Sequence, residues 1–170
     1  ELKVELRRTN LFLRLLLLGF GVVIIVASVL LAGMTLRVRD DIPIALLLFA
    51  AAAGSFFLAE FLVGHFRLYR FGIEEAAASC SAALLAISGG VYASSRHAER
   101  PGEFPLFVGL IVGFIGAFAI YRRLGYVYAA AASLLCISLA PFQTGLTPVM
   151  ERLAAMGLLA GAFAVARYKR

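Results

Sequence analysis

The stretch "EFLVGHFRLYRFGIEEA", residues 60–76, concentrates ionisable side chains in an otherwise apolar part of the chain. It contains three carboxylates, two arginines, one histidine and one tyrosine within 17 positions. Carboxylates close to a histidine can act as general acids and bases or relay protons, and arginines beside carboxylates can neutralise them. The stretch therefore has three interpretations: an active site, a proton path, or the joint between two membrane helices.

The composition identifies the environment in which these residues lie. The chain has 170 residues, of which 62% are hydrophobic and only 15% are charged. A soluble domain is usually about 45–50% apolar, with about a quarter of its residues charged. Several apolar runs are long enough to cross a hydrocarbon core, which takes about 20 helical residues. The sequence therefore predicts an integral membrane protein.

The apolar runs predict an all-α, polytopic protein with one transmembrane domain over residues 1–170 and six helices joined by short loops. Asp41 is the expected N-cap of the second helix, Thr147 that of the sixth, and Pro141 is expected to end the fifth. Continuous runs of this length are too long for barrel strands. The predicted helices cover residues 11–36, 42–64, 73–94, 104–121, 124–140 and 148–166.

The two ends of the chain carry the signals for targeting and topology. The chain begins at Glu1 rather than methionine, so a missing or unassigned N-terminal piece is expected. The apolar run from Leu11 is longer than a signal-peptide core, which favours a spanning helix. With six spans, ten lysines and arginines lie on the side of both termini and five on the other. This bias predicts cytoplasmic termini, and the excess of arginine over lysine, 14 to 2, indicates a bacterial source and thus the inner membrane.

Glu60 is the strongest candidate for a proton or substrate site, because it lies just inside the second predicted helix. Charged side chains inside a membrane are costly and often functional. Arg14 lies at the same end of the first helix, so the two are expected to form an ion pair. His65 follows in the loop, where a Glu60–His65 proton relay is the alternative.

The remaining charges of the stretch are expected to form a joint on the cytoplasmic side. Glu74 and Glu75 fall in the first turn of the third helix, where carboxylates complement the helix dipole. Arg67 and Arg70 lie in the preceding loop, and Arg70 is close enough in sequence to pair with Glu74. A structural joint is therefore favoured over an active site.

Other chemistry finds little support in the sequence. His65 and His97 are expected on opposite faces, so they cannot ligate one haem. No metal site or nucleic-acid interface is predicted, and the sequence leaves the cofactor unknown. Cys80 and Cys136 are expected at different depths, which argues against a disulfide. Serines within the helices are expected to bond their own backbone. The chain is therefore predicted not to be an enzyme.

Small residues four positions apart predict close helix packing. Gly109 and Gly113 lie on one stripe of the fourth helix with Gly116 beside it, and Gly157 and Gly161 repeat the spacing in the sixth. Such residues let helix backbones approach each other in lipid. The spacing does not distinguish a helix of the same chain from a helix of another subunit.

Two functions follow from these patterns. The favoured one is a non-catalytic accessory or scaffold subunit that contacts the lipid bilayer and other membrane-protein subunits. The alternative is a small transporter or channel component that uses Glu60 near the cytoplasmic face. The sequence names neither a substrate nor a bound lipid or pigment.

Overall fold

The computed structural model describes residues 11–66, 71–96, 103–145 and 147–168, with the side chains of 103 and 162–168 outside that description. Over these residues the chain is helical and contains no strand, as predicted. A short 3-10 helix, Ala140–Gln143, continues directly from the fifth α-helix. The six α-helices are α1 (Leu11–Thr35), α2 (Asp41–Gly64), α3 (Ile73–Arg96), α4 (Glu103–Leu124), α5 (Val127–Leu139) and α6 (Pro148–Tyr168).

The first four helices each have the length and apolar composition to cross a membrane. The protein is therefore an integral membrane protein with several helices, as the sequence predicts. The last two helices are less clear spans. α5 and its 3-10 extension form a shorter apolar segment, and α6 opens with Glu151 and Arg152.

All helix ends lie within three residues of the predicted ones, and the starts of α2 and α5 are two that differ. Asp40, not Asp41, is the N-cap of α2, and its side chain makes no capping hydrogen bond. α5 begins at Val127, later than predicted, because Gly125 adopts a positive φ of 73° and interrupts the helical backbone between α4 and α5. Thr147 precedes α6, and its carbonyl accepts a hydrogen bond from the Glu151 amide at 3.1 Å.

α3 is the central helix of the fold. It packs extensively against both α2 and α4 and also carries most of the contact with α1. Its buried side is built from small residues, including Ala76, Ala77, Ala78 and Ser81, which allow its neighbours to approach closely. α5 packs on α4, and α6 packs on α5 and the 3-10 segment. We call the end of the bundle where α1 and α3 begin and α2 and α4 end the N-terminal face.

The two glycine stripes predicted for packing have different surroundings. A Cβ added at Gly109 would lie 3.0 Å from the Ala86 carbonyl oxygen of α3, and one at Gly113 would lie 3.0 Å from the Ala86 Cβ. Gly116 likewise lies against Leu85 of α3. By contrast, a Cβ at Gly157 or Gly161 would meet no heavy atom of the described residues within 4 Å. The α4 glycines thus pack within the chain, whereas the α6 glycines face outward.

The helix hydroxyls mostly follow the expected local pattern. Ser79, Ser133 and Ser138 each donate to the carbonyl three residues earlier in their own helix. Ser88 is different, because its hydroxyl donates to the Ala45 carbonyl of α2 at 2.8 Å. This bond joins the central helix to α2 at the end of the bundle opposite the N-terminal face.

The turn that ends α1 places an arginine where glycine is usual. The Arg37 amide donates to the Met34 carbonyl at 3.2 Å and the Val38 amide to the Gly33 carbonyl at 3.1 Å, which is the Schellman pattern. Arg37 has a φ of 51°, whereas the other described residues with positive φ are Gly72, Gly125 and Gly145. A left-handed conformation costs a residue with a side chain about 1–2 kcal/mol.

Substitution of the packed and outward-facing glycines should have opposite consequences for stability. We expect Gly109→Val to lower the free energy of unfolding by about 1–3 kcal/mol, because the added side chain would press on α3 backbone. Gly157→Val should change it by less than about 0.5 kcal/mol, because the site is open. Unfolding in mixed micelles monitored by circular dichroism measures both. Equal destabilisation by the two variants would contradict the α3–α4 packing.

Candidate functional site

A partly buried ion pair joins α1 to α3 at the N-terminal face. Arg14 Nε donates to Glu75 Oε2 at 2.9 Å, and Arg14 Nη2 donates to Glu75 Oε1, so both carboxylate oxygens are engaged. The Glu75 side chain is only 4% exposed, whereas that of Arg14 is 32% exposed. This two-pronged geometry is the strongest form of an arginine–carboxylate contact.

Close backbone contacts hold the two helices at the distance that this pair requires. Gly72, the residue before α3, has a φ of 109°, and a Cβ there would lie 2.3 Å from the Arg14 carbonyl oxygen. Further along, a Cβ on Gly21 would lie 2.8 Å from that of Ala76. Since neither position has room for a side chain, α1 and α3 cross almost backbone to backbone. Glu75 is thereby brought within reach of Arg14.

Glu74 holds the chain that leads into α3. Its carboxylate accepts hydrogen bonds from the Phe71 amide at 2.8 Å and from the Gly72 amide at 3.1 Å. The residue is fully buried, at 0% exposure. Amides at a helix N-terminus lack backbone partners, and a nearby carboxylate satisfies them and complements the helix dipole. Glu74 therefore shapes the turn, while Glu75 fixes the neighbouring helix.

A second, more exposed ion pair joins α2 to α4 at the same face. Glu60 Oε1 accepts hydrogen bonds from Arg123 Nε at 2.9 Å and Nη2 at 2.5 Å. The side chains are 35% and 67% exposed, respectively. The expected pairing of Glu60 with Arg14 is therefore wrong. It fails because α1 packs mainly on α3 rather than on α2.

The other residues of the stretch have separate surroundings. The exposed His65 ring stacks on Phe61, with centroids 5.2 Å apart and planes 7° from parallel, and meets Phe66 edge-on. It lines the same open groove as Glu60. Arg67 and Arg70, including the expected Arg70–Glu74 pair, lie outside the described residues.

The sequence reasoning missed Arg123 as a partner. Arg123 stands in "YRRLG" at the end of the fourth helix, and an antiparallel bundle places that end beside the end of the second helix. This shared end was the available signal. Nothing in the sequence indicated the contact between Arg14 and Glu75, since it depends on which helix α1 packs against.

The contacts at this site hold ionisable side chains in fixed positions. Glu74 and Glu75 are buried, and their oxygens accept from backbone amides and a guanidinium. Within the described part of the chain no group of three histidines, cysteines or carboxylates could hold a metal. Cys80 and Cys136 are free thiols.

Neutralising Glu75 and Glu60 in separate variants should show which of the two ion pairs contributes more to the free energy of unfolding. Glu75→Gln is expected to lower the free energy of unfolding by about 2 kcal/mol, between the values for exposed and fully buried pairs, because only the carboxylate of this pair is buried. Glu60→Gln is the matched control, and should cost less than about 1 kcal/mol because its pair is exposed. Unfolding in mixed micelles provides the comparison. A loss no larger for Glu75→Gln than for Glu60→Gln would contradict the assignment of Arg14–Glu75 as the structural pair.

Comparisons of the chain with protein-family models, curated proteins and solved structures give no match. The function is therefore inferred from the geometry of the chain's own described residues.

Proposed function

We propose that this chain is a non-catalytic, multi-pass subunit of a larger complex in the bacterial inner membrane. The observation that carries the proposal concerns one motif, two glycines four residues apart, which has different surroundings in α4 and in α6. The four-residue spacing of Gly109 and Gly113 is filled by α3, whereas the same spacing of Gly157 and Gly161 in α6 faces no atom of the described chain within 4 Å. Because small residues favour close helix contact in lipid, the α6 stripe is suited to a helix of another subunit.

The packing of the outermost helices supports this role. Gly21 is the one buried residue in α1, and Ala155 is the one buried residue among the described side chains of α6. α1 and α6 therefore offer most of their surface to the membrane. The two ion pairs at the N-terminal face join α1 to α3 and α2 to α4, and are suited to keeping these helices in fixed relative positions.

The proposed topology places the N-terminal face on the cytoplasmic side. Arg14, Arg122 and Arg123 lie at this face, and most of the other basic residues adjoin, in the sequence, the helix ends that meet there. An excess of lysine and arginine in short loops marks the cytoplasmic side of a membrane protein. Six spans with both termini in the cytoplasm satisfy this bias.

Purification from native membranes in a mild detergent tests the subunit role. We expect the chain to migrate with other membrane proteins in a fixed ratio, identified by mass spectrometry. The double variant Gly157→Val/Gly161→Val should lose these proteins while remaining folded, because the added side chains keep helix backbones apart. Gly54→Val in α2, which also has no heavy atom within 4 Å of its added Cβ, is the matched control and should retain them. A wild-type chain that purifies alone would contradict the proposal.

A transporter or channel component is the second candidate, and one observation favours it. Glu60 and His65 line one open groove together with Phe57, Phe61 and Gly64. A carboxylate and an imidazole on one groove can exchange protons with water or a substrate.

Glu60→Gln distinguishes the candidates in native membranes. For a subunit role we expect this variant to retain its partners, because the exposed Glu60–Arg123 pair contributes little stability. Partner binding and proton flux in membrane vesicles are the two readouts. Loss of flux with intact partner binding would instead favour the transporter role.

A further inference from the structure

A cleft of about 750 Å³ separates the end of α1 from the start of α2, at the end of the bundle opposite the N-terminal face. Its walls are apolar, with Leu30 and Met34 from α1 facing Ile44 and Leu47 from α2. We propose that this α1–α2 cleft binds an anionic phospholipid, with an acyl chain between the helices and the headgroup phosphate on two arginines. The proposal does not depend on the subunit role.

The cleft follows from the way in which α1 is attached. The Arg14–Glu75 pair and the close contacts at Gly72 and Gly21 fix the first half of α1 to α3. Over its whole length, α1 has far less contact with α2 than with α3. A Cβ on Gly33 would lie 3.5 Å from Leu47, which is ordinary contact at one point. The remaining gap has the volume and the apolar walls that a hydrocarbon chain can fill.

The rim of the cleft has the charge that complements a phosphate. Arg37 and Arg39 both line it, and both are exposed. A guanidinium binds phosphate oxygens through two parallel hydrogen bonds and is less strongly hydrated than an ammonium. Arg39 also lines the adjoining groove, together with Asp40, Asp41 and Ser95, whereas the two aspartates do not line the cleft itself. The cleft thus has cationic groups at its rim and apolar groups inside. An anionic phospholipid has the matching arrangement, with a phosphate headgroup joined to apolar acyl chains.

The backbone of Arg37 provides an independent indication that its side chain is used. Its φ of 51° is positive, and the other described residues with positive φ are all glycines. Glycine would complete the same helix end without strain. A strained position that retains a functional side chain is typical of binding sites. Here the strained residue is one of the two that carry positive charge on the rim.

Lipid-dependent thermal stability of the purified protein tests the proposal. Delipidated protein is mixed with phosphatidylglycerol or with phosphatidylcholine of the same acyl chains, and bound lipid is counted by native mass spectrometry. We expect phosphatidylglycerol to bind at least fivefold more tightly and to raise the melting temperature. Equal binding of the two lipids would overturn the proposal.

The variant Arg37→Gly separates lipid binding from folding. It should weaken phosphatidylglycerol binding at least fivefold, while the melting temperature of the delipidated protein stays the same or rises, because the strained turn is relieved. Arg39→Gln should weaken binding in the same direction. Arg96→Ala is the matched control, since Arg96 lies over the Tyr92 ring, 5.6 Å from its centroid, and does not line the cleft.

Each other outcome would overturn the assignment. Unchanged phosphatidylglycerol binding by Arg37→Gly would show that the rim arginine does not hold the headgroup. An equal loss in Arg96→Ala would indicate attraction to surface charge in general. A lower melting temperature of delipidated Arg37→Gly would assign Arg37 a structural role instead.

Discussion

The contact between the Arg14 guanidinium and the Glu75 carboxylate determines how the first helix joins the rest of the molecule. α1 has one buried residue and a nearly continuous apolar sequence, so lipid solvates most of its surface as well as protein would. Apolar packing alone therefore gives it little reason to choose one neighbour. A carboxylate that is 4% exposed at the membrane edge, however, requires a cation, and Arg14 supplies it.

The absence of side chains at Gly72 and Gly21 makes this contact geometrically possible. It also places the attachment of α1 at one end of the helix. The opposite end, near Gly33, is left with a gap towards α2 that can take a lipid chain. The bundle is thus asymmetric: charges are paired at the N-terminal face, whereas α1 and the described part of α6 leave most of their surface exposed.

The number and approximate bounds of the helices could be predicted because they depend on local properties of the chain. The length of an apolar run sets the length of its helix, and Gly72 and Pro148 mark where α3 and α6 begin. Neither signal depends on the positions of the neighbouring helices. The partners of Arg14 and Glu60 could not be predicted in this way. Both pairs lie at the same end of the bundle, but the partner of Arg14 depends on α1 packing against α3, and that of Glu60 on the end of α4 lying beside the end of α2.

The glycine stripes illustrate the same limit. Gly109 and Gly157 begin stripes of identical spacing, and sequence alone gives them equal standing. Only the neighbour differs: α3 fills the first, and no described atom lies close to the second. Arg37 is a further case, since a left-handed arginine has no sequence signature, whereas a glycine at the same position would have marked the turn.

The most direct test of this account is the coupling free energy between Arg14 and Glu75. A double-mutant cycle of Arg14→Met and Glu75→Gln, measured by unfolding in mixed micelles, isolates the interaction from the rest of each side chain. The account predicts a coupling of about 2 kcal/mol or more, within the range for contacting residues. A coupling below about 0.5 kcal/mol, the level found for independent sites, would contradict the claim that this pair fixes α1 to α3.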